Sequence, residues 1–369
     1  MQKITWKAIL ERSKDDNASS SPPKQPINVP VRTTQNAPVP VSNTTQSAPQ
    51  PPEKEEMPKT TFVTPPAPPP TPMRPVQAVV VDDSVGSINS DSLFLIGSSH
   101  DVCQDYVSNK NCGIKSYVVL ADGCSGSRDS DVGARVLVKT HELYIPKMGI
   151  MDFNEYAKKA DDIYTQIIEE TAANAHALEL DPMSLDATVM SIVSNKNGDF
   201  MVTSYGDGVV ALGRRDGAIE VYSVAYKEGY PNYLSYRLNE ERMERFKAKT
   251  DNHKEITLDI IEPGMPTNTS KYKSSAMLDI YLGSREKYLW VAVMSDGVQS
   301  FTERVVTETA LTHEIVPVRK VLEELLAFKN FQGTFVRRRV NRFMEVCQKN
   351  NWSHSDDFSM GVIYLGEPD

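Results

Sequence analysis

Missing from the 369 residues is any apolar run approaching the roughly 18–20 that a membrane-spanning helix requires. The opening segment, MQKITWKAILERSK, also lacks the apolar core of about 7–15 residues on which a secretory signal depends. Cysteine is scarce. Cys103, Cys112, Cys124 and Cys347 show neither paired metal-ligand spacing nor a disulfide framework, which points to reduced thiols and a cytoplasmic setting. Positive charge is in deficit as well: 40 Lys and Arg against 49 Asp and Glu leave a formal net charge of −9. Such a surface on average repels nucleic acid and anionic membrane, so neither is expected as a partner.

Proline, in contrast, is plentiful and unevenly spread. Most of the 24 prolines fall within residues 15–77, as in TPPAPPPTPMRP, among Ser, Thr, Gln and Asn. Such a stretch lacks the backbone donors and the apolar surface that would offset the entropy of ordering, so it reads as a disordered, partly polyproline-like linker. Ahead of it, residues 1–14 place Ile4, Ile9 and Leu10 near helical spacing beside Trp6, a short amphipathic helix or a frayed terminus. Either the helix or the proline-rich arm offers a partner something to hold.

Residues 78–369 form the body, about 290 residues, near the upper limit for a single core. SLFLIGSS, KSYVVLADG, EITLDII, AMLDIYLG, KYLWVAVMSDG and FSMGVIYLG read as strands. MDFNEYAKKADDIYTQIIEETAANAHAL repeats apolar residues every three or four positions, as an amphipathic helix does. Asn197-Gly198 and Asp216-Gly217 sit between alternating runs and mark hairpins. Two further helices, PVRKVLEELLAF and TFVRRRVNRFMEVCQKN, precede the last strand. Hairpins dominate, so the sheets are expected to be mostly antiparallel with helices outside them.

Several carboxylates stand at strand ends. Asp122-Gly123 closes one apolar run and Asp296-Gly297 another; Asp105 follows a strand-like stretch, Asp207 lies between two strands, and Asp356-Asp357 precedes the last. One Asp-Gly alone is a turn. Several acids brought together repel unless a cation sits between them, and an all-oxygen cluster suits Mg²⁺ or Mn²⁺. The rival reading of DGCSGSRDSD as a phosphate cradle fails, because it lacks the Gly-Lys-Ser/Thr ending of a P-loop and carries acids where a nucleotide needs cations.

Taken in order, GSSHDVCQDY, ADGCSGS, SLDATVMSIV, YGDGVVALGR, MSDGVQS and SDDFSMGVIYL resemble the signature segments of the metal-dependent, type 2C serine/threonine protein phosphatases, most nearly a bacterial branch. The resemblance spans nearly all of the body and none of the arm. It implies an α+β fold, a four-layer α-β-β-α sandwich with two mostly antiparallel sheets. It also implies two Mn²⁺ or Mg²⁺ ions, with a labile third. Asp122 then bridges the two ions, Gly123 lends its carbonyl, Asp296 and Asp356 complete the ligands of the first ion, Asp105 supports the site, and Asp207 with Asp296 serves the third ion. Asp122 and Asp296 act in catalysis through a water made acidic by the metals, and the substrates are phosphoserine and phosphothreonine proteins.

Three departures from the family pattern stand out. Cys124 occupies the position where many members carry a histidine acid, Gln104 replaces a glutamate, and His100 takes the place of a phosphate-binding arginine. His100 binds phosphate when protonated or caps a turn, and Arg128 is a second phosphate candidate. His354, two residues before Asp356, is a candidate for orienting that loop. The rival functions are a catalytically weak or inactive domain of the same fold that binds phosphoproteins, and an adaptor built around the arm.

Overall fold

The computed structural model describes residues 88–111, 115–148, 152–306 and 311–367. The expected helix at 1–14, the linker at 15–77, the first residues of the body and Cys112 lie outside them. No helix among the described residues is long and apolar enough to cross a membrane.

Two sheets form the body. One has the strand order β1-β15-β11-β6-β7-β8-β9, where β1 is Asn89–Leu95, β6 Gly208–Arg214, β7 Ile219–Tyr226, β8 Lys254–Ile261, β9 Asn268–Ser274, β11 Tyr288–Met294 and β15 Phe358–Tyr364. The other runs β10-β5-β4-β3-β2, with β2 Asp105–Asn111, β3 Lys115–Gly123, β4 Ala187–Asn195, β5 Phe200–Tyr205 and β10 Leu278–Gly283. Neighbouring strands are antiparallel in both. The expected hairpins are present, and Gly198 and Gly217 take the positive φ that their tight turns demand.

Between the sheets lies one core: Val118, Leu120, Ile192, Phe200 and Val202 from the smaller sheet meet Val210, Leu212, Val291, Val293 and Ile363 from the larger. The outer face of the larger sheet packs Ala211, Ala292, Met294, Met360 and Val362 against two helices, α4 (Val318–Leu325) and α5 (Phe335–Lys349). The smaller sheet is covered by α1 (Ser130–Met148) and α2 (Phe153–Ala177), whose Tyr164 hydroxyl bonds the Thr203 hydroxyl on β5. Both faces of β3 are therefore covered, which explains its unbroken apolar run. The result is the expected four-layer α-β-β-α sandwich.

Three features depart from the expectation or go beyond it. Asp105 opens β2 instead of trailing a strand, because β1 belongs to the other sheet and residues 96–104 form the crossing loop. A further helix, α3 (Glu240–Thr250), capped by the Asn239 side chain, follows β7. A third sheet, in the order β13-β12-β14, joins β12 (Phe301–Val306), β13 (Leu311–Ile315) and β14 (Trp352–His354). The seam of α1 and α2 buries His141 completely, edge-on to Tyr164, with neither ring nitrogen hydrogen-bonded.

Burial pulls the His141 imidazole down to about 3, so the fold accepts only its neutral form. An unfolded histidine takes up a proton below roughly pH 6.5. Between that value and about 3 the unfolded chain therefore binds the extra proton, and stability falls as pH falls, by about 1.4 kcal/mol per unit. Denaturant unfolding at pH 7 and pH 5 should show a larger loss for wild type than for His141→Leu, by about 2 kcal/mol; equal losses contradict the assignment.

Candidate metal centre

The register of β2 and β3 sets Asp105 opposite Asp122, and β4 brings Thr188 to the other side of Asp122. Asp207 lies on the short link that carries the chain from β5 in one sheet to β6 in the other. Its neighbours Gly206 and Gly208 have φ of 104° and 128°, a backbone that only glycine adopts without strain, and this lets so short a link cross. Asp296 opens the 3₁₀ turn after β11, and Asp356 is the middle residue of the three-residue loop between β14 and β15. The sandwich thus gathers at one end all five acids singled out in the sequence.

Their electrostatics show the crowding. Asp122 is held well above the usual carboxylate range, first by burial and then by Asp105, Asp296, Asp207 and Asp356. Burial pushes Asp105 up to about 7 against the opposing hydrogen bonds of Ser295 and Ser359. Asp207 also rises to about 7, through burial and then Asp296. Asp296 is raised by burial and next by Asp356. Hydrogen bonds oppose the rise at Asp105, Asp207 and Asp296, yet no lysine or arginine figures among the causes of these shifts.

A divalent cation fits this donor set. Asp105 Oδ1 and Gln104 Oε1 are buried oxygens without hydrogen-bond partners, and the raised carboxylates are oxygen donors that repel one another. All-oxygen sites of this kind suit hard cations such as Mg²⁺ and Mn²⁺. The acids are close enough to perturb one another, but among the described residues no three His, Cys, Asp or Glu side chains already stand in a metal-holding group. The amide of Gly123 donates to the Gln104 carbonyl at 3.2 Å, and a Cβ at Gly123 would lie 2.7 Å from the Ser130 carbonyl oxygen, so the turn closes only on glycine.

Several residues that support the acids left little trace in the sequence. The Ser295 hydroxyl donates to Asp105 Oδ2 at 2.7 Å and accepts from the Ser359 amide at 2.9 Å, tying β11, β15 and β2 together. Asp357 is buried. Its two oxygens accept the amides of Gly97 at 2.7 Å and Gln104 at 2.6 Å, which fixes the loop before Asp105. His354 is buried on β14, with Nδ1 2.8 Å from the Asp356 carbonyl oxygen, so it does orient that loop. Asp186, at the start of β4, accepts from Ser127, Ser235 and Arg242, which draws the segment around α3 toward the Asp122 turn. A pattern of apolar periodicity and Asp-Gly turns carries no signal for such long-range bonds.

The two phosphate candidates separate. His100 is partly buried, its Nδ1 3.0 Å from Asp357 Oδ2, off the line of a hydrogen bond, and its Nε2 3.8 Å from Asp356 Oδ1. It belongs to the acid cluster. The Arg128 side chain is 84% exposed and pairs with Asp129 at 3.2 Å, on a loop where Asp129 takes a positive φ. The Tyr233 hydroxyl lies near enough to Cys124, Asp207 and Asp122 that, after burial, each pushes its pKa up. Thr188 is buried in the sandwich, as expected of a packing residue.

A family model described as protein phosphatase 2C matches residues 97–340. No curated protein matches the chain. Among solved structures, a bacterial serine phosphatase is 11% identical, with a TM-score of 0.46 over 76% of this chain and 99% of that one. The serine/threonine phosphatase Stp1 from Staphylococcus aureus is 11% identical, with a TM-score of 0.45 over 76% and 96%. A serine/threonine phosphatase from S. agalactiae is 14% identical, with a TM-score of 0.40 over 75% and 99%.

The turn after Asp296 leaves no room for a side chain at Gly297, where a Cβ would lie 1.7 Å from the Asp357 carbonyl oxygen. Gly297→Ala must push away the Asp356-Asp357 loop and should cost several kcal/mol in denaturant unfolding, of the order seen for overpacking against fixed backbone. Gly126→Ala meets only the Cys124 sulfur, at 3.7 Å, and should leave stability within about 0.5 kcal/mol. Equal stability of the two variants would remove the claimed constraint.

Proposed function

The chain belongs to the protein phosphatase 2C family, and from that premise we propose that it is a cytoplasmic, Mn²⁺- or Mg²⁺-dependent phosphatase of phosphoserine and phosphothreonine in proteins. The observation that carries the reading is the cluster of Asp105, Asp122, Asp207, Asp296 and Asp356, in which burial and neighbouring carboxylates hold Asp122, Asp207 and Asp296 above the usual range and Asp105 Oδ1 stays buried without a partner. An acid cluster of this kind is unfavourable in a module that only binds, since repulsion and burial both weaken the fold without a cation to offset them.

Asp122, with the Gly123 carbonyl, Asp296 and Asp356, is the proposed holder of two cations, and Asp207 with Asp296 of a labile third. Divalent cations in such a site lower the pKa of a coordinated water and polarise phosphoryl oxygens. The chain's own part is to hold these oxygens in place. Ser295 and Ser359 fix Asp105, Asp357 fixes the loop before it, and His354 fixes the Asp356 carbonyl. His100, set among Asp356 and Asp357, is the proposed donor to a phosphoryl oxygen of the substrate. The Tyr233 hydroxyl covers Cys124 at the place where many relatives carry a histidine. His100 is preferred to Arg128 for the phosphoryl contact because the Arg128 guanidinium is exposed and paired with Asp129.

Purified protein should hydrolyse an aryl phosphate with Mn²⁺ and stop when EDTA is added. Asp122→Asn or Asp296→Asn, each removing one ligand charge at constant shape, should lower kcat by roughly 10²–10³ or more while far-UV circular dichroism stays unchanged. Metal-independent turnover, or full activity of Asp122→Asn, contradicts the reading. His100→Ala should raise KM for the aryl phosphate several-fold, whereas Arg128→Ala should leave it within about twofold. The reverse order would reassign the phosphate contact.

A further inference from the structure

The sheet β13-β12-β14 grows directly from the catalytic end. β12 begins just after the turn of Asp296, and β14 ends just before Asp356. Its inner face is anchored: Phe301, Trp352 and His354 are buried, and Phe301 packs against Phe343 and Phe358. The register pairs Thr302 with Ile315, Arg304 with His313, and Val306 with Leu311, so these six side chains share the opposite, outward face. There Val306 is 70%, Leu311 55% and Ile315 77% exposed. These are three of the eleven large apolar side chains exposed among the described residues, so the exposure is concentrated on this hairpin. Large exposed apolar side chains gathered in this way mark interaction surfaces.

Charge narrows the choice of partner. Arg304 and His313 lie across from each other in the middle of the outward face, and among the described residues neither forms an ion pair with an acid. Among the described residues the acids of the two strands, Glu303 and Glu314, stand opposite each other on the other face, where Glu303 accepts from the Trp352 indole at 3.3 Å. In a chain with a net charge of −9 this face is basic at its centre and aliphatic at its two ends. Along β13, which is the edge of its sheet, every residue is exposed and one row of backbone groups faces no strand among the described residues.

We infer that β13 docks an extended stretch of the phosphoprotein substrate, paired to its free edge, with an acidic side chain against Arg304 and His313 and aliphatic side chains against Leu311 and Ile315. This deepens, and rests on, the phosphatase reading. Edge addition supplies affinity through the backbone, and the alternating side chains supply selectivity. Because β12 and β14 are continuous with the loops of Asp296 and Asp356, a peptide held on β13 runs toward the acid cluster. The hairpin selects the protein around the phosphoresidue and leaves the phosphate to the acid end.

The test compares wild type, Arg304→Glu and Ile315→Ser on three probes with Mn²⁺. These are an aryl phosphate, a phosphothreonine peptide flanked by Asp and Leu, and the same peptide with Lys in place of Asp. Support is a kcat/KM for the acidic peptide that falls roughly tenfold in either variant, while aryl phosphate turnover stays within about twofold. Arg304→Glu should also improve the lysine peptide. Equal use of both peptides by wild type overturns the inference, as do unchanged peptide kinetics in the variants or a parallel loss on the aryl phosphate. Light scattering that finds a wild-type dimer dissociated by Ile315→Ser would assign the face to a second copy and also overturn it. A wild type inactive on the aryl phosphate sinks the phosphatase reading instead. Fluorescence anisotropy of the labelled acidic peptide then still decides the docking face: binding weakened by Arg304→Glu supports it, and no binding overturns it.

Discussion

Mutual repulsion among the carboxylates at one end of the sandwich is the constraint around which the rest is arranged. Asp122 sits with four other acids near it, and each raises the cost of its charge. Five such groups do not gather of their own accord; something must hold each backbone where it is. Two sheets do most of this, since β2, β3, β11 and the β14–β15 loop all end at the same rim. Their core interdigitates from both inner faces, and each fully buried Val, Leu, Ile or Phe contributes about 1.5–3 kcal/mol relative to exposure. The apolar core therefore supplies the free energy with which the acid end is kept in a shape that is unfavourable without a cation.

Short polar ties then set the fine geometry. Asp357 shows the division of labour between adjacent residues. Asp356 is half exposed and aimed at the cluster, whereas Asp357 is buried with both oxygens engaged by backbone amides. Two identical, adjacent side chains thus do different work, although both stand near His100. Gly297 and Gly97 permit this, because the Asp356-Asp357 backbone passes so close to both that neither has space for a Cβ. Moving that backbone would disturb Asp356, the His100 contacts and the loop before Asp105 together.

Much of the sandwich was legible because its signals are local. The apolar runs of β3 and β11, the Asn197-Gly198 and Asp216-Gly217 turns and the period of α2 each depend on residues within one element. The acids were legible for a related reason, since a carboxylate at the end of an apolar strand is conspicuous in the sequence itself. Long-range pairing was not. Asp105 looked like the end of a strand because the apolar run before it is strong, but that run joins β15 in the other sheet. Nothing in WSH or in LTHEI announces a third sheet, as β13 is exposed throughout and has no apolar alternation to read. Arg128 was a phosphate candidate by proximity in sequence, and nothing in the sequence signals that its side chain is exposed and paired with Asp129.

The position of Cys124 shows how a local substitution is absorbed by distant structure. A thiol cannot do the work of an imidazole that donates a proton near neutral pH. Instead, the segment between β7 and α3 brings Tyr233 to that thiol, and Asp186 holds the segment down through Ser235 and Arg242. The same Asp186 accepts from Ser127, on the turn that follows Cys124, and its carbonyl accepts the Cys124 amide at 2.8 Å. One buried carboxylate therefore couples the covering segment to the acid-bearing turn on both sides of the thiol. A change at Cys124 is for that reason a change in how the cover seats, and its consequences run through Tyr233 and Arg242 rather than through the acids alone.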